Sequence, residues 1–501
     1  MMRNLMIAWA ILVAGSALCS AAPREVVIFH TNDIHGHFMP EPASWRKDHA
    51  LTGGMGALFE QLQQLRAQHP NSMYLDAGDV MTGNPVCNIE YSGVKGGALQ
   101  EMLRRCGVAA ECLGNHEFDL GSDHLRQYVA AAKYPVVCAN LREKSSGKPL
   151  TASSHVFEIN GLRVGIIGLI LDNLSGVAAH TAVEPFRVED VFTTAQKQID
   201  ELAPATDLIV LLTHEGVEED SILAMHTRGA QVIVGGHSHT RLEHGKRING
   251  TLIVQAGSYL KDLGMLDLWV DADSIVSYRD SLIALTVSAT PAVTPVSTLA
   301  DSLSAAIQKQ YGQKIGEIAE PWKKSYYTGS NAGNWICDRL RERYKADVAF
   351  VNAGGIRTDI NAGPVTMLQI VELLPFVNSI ATFDATGSEL LKTALEQARA
   401  QGLHKHGALE ISGMKIRYKK TGDKVDLAGV TIGGKTVDPN RTYHVVTIDY
   451  VAVSQWDEYF TFKPRKLQTI GDLISDVIGD EIKKSSGPIH ADPAPRIEEI
   501  R

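Results

Sequence analysis

Residues 26–36 read Val26-Val27-Ile28-Phe29-His30-Thr31-Asn32-Asp33-Ile34-His35-Gly36. Four apolar residues, three of them β-branched, specify a short buried strand. An imidazole, an amide, a carboxylate and a second imidazole follow, and the run ends on glycine. Four more segments repeat this plan. Residues 73–75 lead into Asp76-Ala77-Gly78-Asp79, and residues 110–113 into Gly114-Asn115-His116-Glu117-Phe118-Asp119. Residues 208–212 lead into Thr213-His214-Glu215-Gly216, and residues 232–234 into Gly235-Gly236-His237-Ser238-His239. In an α/β sheet the C-terminal strand ends open on one crevice, so these polar groups are expected to meet there.

Further apolar runs at 136–138, 164–170 and 252–255 alternate with amphipathic stretches such as 56–68 and 123–132. Buried strands separated by helices give an α/β layered domain from residue 24 to about 290. Residues 287–297 are small, weakly apolar and contain two prolines, which marks a linker, and a helix is expected over 298–311. Segment 291–320 is therefore taken as linker and hinge helix. Beyond it, helices are expected at 331–344, 388–400 and 470–478, and strands at 347–351, 414–418 and 442–448. A second α/β (α+β) domain over 321–501 follows.

With 501 residues, 44% hydrophobic and 21% charged, two ordinary cores can be built. The net charge of −9 without a basic cluster argues against a nucleic-acid polymer or an anionic membrane as partner. Arg3, the apolar run 5–18 and Cys19-Ser20-Ala21-Ala22 have the layout of a signal peptide over residues 1–21, cleaved after Ala21. Leu18 precedes Cys19 where a lipoprotein signal wants a small residue, so lipidation is not expected. The run is too short for a transmembrane anchor, and no second one follows. The expected location is the periplasm or the extracellular space. Cys87, Cys106, Cys112, Cys138 and Cys337 are odd in number without a C-x-x-C pair, so isolated buried thiols are expected, with a Cys106–Cys112 disulfide as the oxidised alternative.

Imidazole, carboxylate and amide oxygen together suit divalent Zn, Mn, Fe or Mg. Asp33 and His35 alternate by two and so share a face, as do His237 and His239. Asp79 is the economical bridge between two cations, and a pair of cations about 3.5–4 Å apart clamps an in-line phosphoryl displacement. Each residue alone has an ordinary reading as a core histidine or a turn carboxylate. Five motifs, each directly after a buried strand, do not.

The ordered set resembles the 5′-nucleotidase / UDP-sugar hydrolase family of the calcineurin-like metallophosphoesterase superfamily. The resemblance implies a four-layer α/β sandwich followed by a 5′-nucleotidase-type substrate-recognition domain, and two divalent metal ions. One ion would take Asp33, His35, Asp79 and His239; the other would take Asp79, Asn115, His214 and His237. His239 stands where many relatives have an amide side chain. His116 and Asp119 would form the catalytic dyad, with the imidazole stabilising developing charge. Asn352, Gly354, Gly355 and Arg357 match a substrate-binding loop, Phe376 a base-stacking aromatic, and Asp457 and Tyr459 the remains of a Gly-rich aromatic motif. Two departures concern that half. Tyr326-Tyr327-Thr328-Gly329 replaces an arginine-bearing pattern, and Gln455-Trp456-Asp457-Glu458-Tyr459 has lost its glycines. The implied activity is hydrolysis of a small phosphate ester, with a nucleotide as expected substrate. The rivals are a 2′,3′-cyclic nucleotide phosphodiesterase, a thiosulfate-ester hydrolase and a non-catalytic binding protein on the same fold.

Overall fold

The computed structural model describes residues 22–43, 50–271, 274–404 and 407–500. The expected signal segment, with Cys19, lies outside them. Through the first half the chain forms β1 (Arg24–Thr31), α1 (Met55–Gln68), β2 (Ser72–Asp76), α2 (Gly97–Cys106), β3 (Val108–Cys112) and β4 (Val136–Val137). It continues with β5 (Ser154–Ile159), β6 (Leu162–Ile170), α3 (Val191–Leu202), β7 (Leu208–His214), α4 (Val217–His226) and β8 (Val232–Val234). β9 (Lys246–Ile248), β10 (Thr251–Val254), β11 (Asp262–Asp271), β12 (Ser274–Ala284) and α5 (Pro295–Tyr311) complete it.

Two six-stranded sheets result, ordered β12-β11-β1-β2-β3-β4 and β5-β6-β7-β8-β10-β9. Their central strands run parallel. Alternation along β1 decides the layering. Val26 and Ile28 face the second sheet, meeting Val164, Val210, Val232 and Leu252. Val27 and Phe29 face outward under Leu58 and Leu62 of α1 and Leu99 and Leu103 of α2. On the far side Ile209, Leu211 and Ile233 are covered by Ile199 of α3 and Leu223 of α4. Strands buried on both faces must be apolar throughout, which is why they read as continuous runs. The four-layer α/β sandwich expected from the resemblance is the observed architecture.

α5 starts three residues earlier than expected. Pro295 sits in its first turn, and the Thr294 hydroxyl accepts from the Ser297 amide. Its Val296, Ala300, Leu303 and Ile307 are buried in the first domain's helical layer. The helix is thus held as an outer-layer element rather than left as free spacer.

The second half contains α6 (Asn331–Arg343), β13 (Val348–Asn352), α7 (Met367–Leu373), β14 (Ser379–Thr386), α8 (Gly387–Gly402) and β15 (Leu409–Ser412). β16 (Met414–Thr421), β17 (Lys424–Ile432), β18 (Lys435–Thr436), β19 (Thr442–Ile448), β20 (Arg465–Leu473), α9 (Ile474–Lys483) and β21 (Ile497–Glu499) follow. A five-stranded sheet ordered β15-β13-β19-β14-β20 and a four-stranded one ordered β18-β17-β16-β21 share one core with α6, α8 and α9. Residues 470–473, expected as helix, instead end strand β20, where Leu473 pairs with Ser379. β20 is an exposed edge strand, so its sequence lacks the apolar alternation that would have marked it. No helix among the described residues is long and apolar enough to cross a membrane. The five cysteines among the described residues are buried and free, with no Cys106–Cys112 bond.

Candidate metal centre

The loops after β1 and β2 are laced together. Asp33 N donates to Gly78 O, His35 N to Asp79 O and Gly36 N to Val80 O, each at 2.9 Å. Asp33, His35, Asp79, His237 and His239 all hold positive φ, between +50° and +73°. Non-glycine residues visit that region rarely and at a cost of about 1–3 kcal/mol each, so five of them at one crevice mark a site over-determined by its surroundings. Glycine is required beside them. A Cβ on Gly114 would collide with Asp79 Oδ1, and one on Gly236 would lie 2.8 Å from His214 Nδ1.

Three groups of donors converge: Asp33, His35 and His239; His35, Asp79 and His116; and Asp79, His214 and His237. Asp79 belongs to two of them, as a bridging carboxylate would. Its Oδ2 lies 3.1 Å from His214 Nε2 and 3.7 Å from His35 Nε2. Asp33 Oδ1 lies 3.3 Å from His239 Nε2, and Asn115 Oδ1 lies 2.9 Å from His237 Nδ1. All seven residues named from the motifs therefore meet in one place. His30, in the same motif, does not. It is buried with its ring against Gly264, and burial pushes its pKa down to about 4.

The donor chemistry fits divalent cations. His214 Nδ1–H donates to Ala77 O at 2.7 Å, which turns the Nε2 lone pair toward Asp79, and that buried atom has no hydrogen-bond partner. His35 Nδ1–H donates to Thr82 O at 2.8 Å, and its Nε2 lies 3.1 Å from His239 Nε2. Backbone carbonyls on the rear nitrogens are the arrangement that orients imidazole ligands. Burial alone would raise the Asp79 carboxyl, but the imidazoles of His214, His116 and His35 hold it well below the ordinary carboxylate range.

Two residues to which the motifs give no role complete the frame. Glu117 is buried, and its carboxylate accepts from Asp79 N, Val80 N, Met81 N and Gly114 N at 2.7–3.1 Å. It joins the loop carrying Asp79 to the loop carrying Asn115. Only its place in Gly-Asn-His-Glu could have flagged it. Tyr259 donates its backbone N–H to Asp33 O at 2.8 Å, and its ring packs against His35, His37 and His239. No sequence pattern marks it.

His116 and Asp119 are paired, Nδ1 to Oδ2 at 2.7 Å, with Thr82 Oγ1 donating to the same oxygen at 2.6 Å. Asp119 does not cap the helix Ser122–Ala131, whose N-cap is Gly121; it closes the short turn Asn115–Phe118. Burial would lower His116, but Asp119 and Asp79 outweigh it and leave the imidazole raised.

The second domain closes over this centre. The Phe376 ring lies 5.7 Å from that of His116, and the Arg357 guanidinium lies 5.9 Å from the Phe376 centroid. Asn352 ends β13, with Gly354 and Gly355 in the tight turn after it, and its buried Oδ1 has no hydrogen-bond partner. Tyr459 is buried beside Tyr450, whereas Asp457 is exposed. Gln455, at one of the lost glycine positions, donates its amide to Ser175 O and Ala178 O of the first domain at 2.6 and 2.8 Å.

Residues 26–241 match the family model for the calcineurin-like phosphoesterase, and residues 314–464 match that for the 5′-nucleotidase C-terminal domain. The chain belongs to the 5′-nucleotidase family of calcineurin-like phosphoesterases. A 5′-nucleotidase of Diplobatis ommata is 26% identical over 496 residues, 88% of this chain and 84% of that protein. A 5′-nucleotidase precursor of Thermus thermophilus superposes with a TM-score of 0.83 at 27% identity, covering 95% of this chain and 99% of that one. The sulfate thiohydrolase SoxB of Thermus thermophilus superposes with a TM-score of 0.78 over 95% of this chain and 96% of its own; at 18% identity the likeness is one of fold. As a member of this family the chain is a metal-dependent phosphoester hydrolase working with two divalent ions, for which the converging His and Asp groups provide the donors.

Proposed function

We propose that the chain hydrolyses phosphate esters of nucleotides. The observation that carries this reading is the meeting of Phe376 and Arg357, from the second domain, with His116 at the first domain's metal centre. A bare phosphatase needs the ligands; an aromatic face beside the reacting group suits a substrate with a base to stack. The metal ligands would be Asp33, His35, Asp79, Asn115, His214, His237 and His239. Bound there, two divalent cations would supply Lewis-acid polarisation of a phosphoryl group and an activated water.

The other roles belong to side chains. His116, held by Asp119, faces the reacting phosphoryl group and stabilises charge on the leaving oxygen. Arg357 offers a planar fork of donors to the phosphoryl oxygens. Phe376 and Tyr459 flank the base, Asn352 supplies its unpartnered acceptor to it, and Gly354 and Gly355 let the backbone come close. Asp457 is assigned to the rim, by its exposure. Residues 24–290 and 321–501 act as catalytic and recognition domains, with the pivot placed directly after Tyr311, where α5 leaves the first core. Residues 1–21 are assigned to export into the periplasm or the extracellular space.

Purified protein loaded with Mn or Zn is to be tested on 5′-nucleoside mono- and diphosphates, a UDP-sugar, a 2′,3′-cyclic nucleotide, a thiosulfate ester and an aryl phosphate. Metal-dependent turnover fastest on the 5′-nucleotides is expected. Turnover of aryl phosphate with no preference for nucleotides would overturn the substrate, and no turnover at all would overturn the enzyme.

A further inference from the structure

Between Asp79 and the short turn Pro85–Asn88 the chain passes through Thr82, whose φ is +64°. A β-branched residue in the left-handed region is strained, and it stays there only where its surroundings over-determine it. Glu117 accepts from the N–H groups of Asp79, Val80 and Met81 just before it. Asp79 O and Val80 O accept from His35 N and Gly36 N. Directly after it, Gly83 holds φ of +145°, and a Cβ there would collide with His35 O. The loop is thus pinned on both sides of Thr82. A glycine would meet the demands of the backbone without strain, so a threonine there points to a use for its side chain.

The strained conformation gives Thr82 two partners. Its carbonyl accepts from His35 Nδ1–H at 2.8 Å, closer than Met81 O at 3.2 Å. Its hydroxyl donates to Asp119 Oδ2 at 2.6 Å, and His116 Nδ1–H donates to the same oxygen at 2.7 Å. One buried residue therefore spans from the rear nitrogen of His35 to the carboxylate of the dyad. The Asp119 side chain is 16% exposed, and the terminal torsion of an aspartate is broad and two-fold. Held by His116 alone, it is free to offer the ring either oxygen or to tilt toward water. Two donors on one oxygen remove that freedom. The plane of the His116 ring follows, and with it the direction of Nε2, which lies 3.9 Å from Asp79 Oδ2.

We propose that Thr82 is a positioning residue for the dyad: its hydroxyl selects the Asp119 oxygen that His116 meets, and so aims the imidazole at the reacting phosphoryl group. The inference rests on the phosphohydrolase reading, in which His116 stabilises charge on the leaving oxygen. Thr82 acts through Asp119 rather than on the substrate. Its carbonyl does a separate task at His35, and being backbone it survives any change of side chain. The left-handed conformation is what turns carbonyl and hydroxyl toward two different loops, the one after β1 and the one after β3. Substitution at Thr82 therefore removes the contact with Asp119 and leaves the one with His35 in place.

The test compares the parent, Thr82→Val and Thr82→Ser as full chains. Valine keeps the volume, the β-branch and the strain and removes only the hydroxyl; serine restores the donor. On an aryl phosphate, Zn- or Mn-loaded Thr82→Val is expected to lose about tenfold in kcat with KM changed less than about twofold, and Thr82→Ser to recover most of that loss. Metal affinity, read by titration into chelated protein, is expected at the parent's level in both. Proton NMR of the chelated protein reads the dyad without turnover. The His116 Nδ1–H resonance, assigned by its absence in His116→Ala, is expected to move in Thr82→Val and to return in Thr82→Ser. Parental kcat or an unmoved resonance in Thr82→Val would overturn the proposal. So would a serine variant as impaired as the valine one, or metal affinity falling in step with kcat. If Thr82→Val does not fold, Thr82→Gly, which relieves the strain, takes its place with the same expected loss. A parent that turns over no phosphate ester refutes the phosphohydrolase reading instead, and the resonance still decides for or against Thr82.

Discussion

Glu117→Gln isolates the frame from the ligands. The glutamate's two oxygens accept from four backbone N–H groups, three on the Asp79 loop and one on Gly114. Glutamine keeps one acceptor oxygen and turns an NH2 toward the other pair of donors. Two buried N–H groups then lack an acceptor, at about 1–3 kcal/mol each, for a total of about 2–6 kcal/mol. Part of that cost falls on stability and part on displacing the Asp79 carboxylate, because Asp79 N is itself one of the four donors. The assay is paired: thermal melting of chelated protein, and titration of Zn or Mn into it. A melting temperature lowered by several degrees is expected, with metal affinity reduced about 10–100-fold, the range for groups that orient ligands. Parental melting together with parental metal affinity would refute the reasoning. It would mean that the cross-loop bonds Asp33 N to Gly78 O and His35 N to Asp79 O suffice to place Asp79.

Three further outcomes are expected. His116→Ala should lower kcat about 10²–10⁴-fold while leaving bound metal at the parent's level; metal loss would place His116 among the ligands instead. Gln455→Ala removes two hydrogen bonds between the domains, worth about 1–3 kcal/mol net, and should open the molecule in small-angle scattering and raise KM more than it lowers kcat. Identical scattering would show that the bond does not hold the closed form. Burial raises the Glu410 carboxyl to about 7, while Ser330, which caps α6, pulls it down. The folded chain therefore keeps a proton that the unfolded chain releases from about pH 4.5 upward. Stability should fall by about 3 kcal/mol as pH rises to about 7, a slope that denaturant melts would find flattened in Glu410→Gln.

The first domain is legible because two constraints write it into local sequence. Parallel strands buried on both faces demand apolar runs, so β1, β2, β7 and β8 stand out, while β3 carries the buried Glu111 in an otherwise apolar stretch. Coordination chemistry then demands His, Asp and Asn directly at their ends. The β11–β12 hairpin does not stand out among those strands because β12 has no buried residue and carries no such run. The start of α5 is displaced by three residues because Pro295 reads as linker, although its fixed φ suits the first turn of a helix.

Residues placed by loops distant in the chain obey a different rule, and Tyr259 shows why they stay hidden. Nothing about a tyrosine in Gly257-Ser258-Tyr259-Leu260 indicates a role; its positive φ and its four ring neighbours are set by loops distant in the chain. Tyr326 is equally mute, since sequence shows only that arginines are missing there. The same holds for Gln455: as a lost glycine it suggests a damaged base pocket, whereas in the fold its amide spans to Ser175 and Ala178 and helps hold the cleft shut. Residues that bind metal are constrained by the ion, so their types and spacing recur within one motif. Residues that bind substrate are constrained by the geometry between two domains, and that geometry is not local in the chain. The departures from the family's pattern at 326–329 and 455–459 therefore fall on the surfaces that meet across the cleft, and they leave the metal frame built by Glu117 intact.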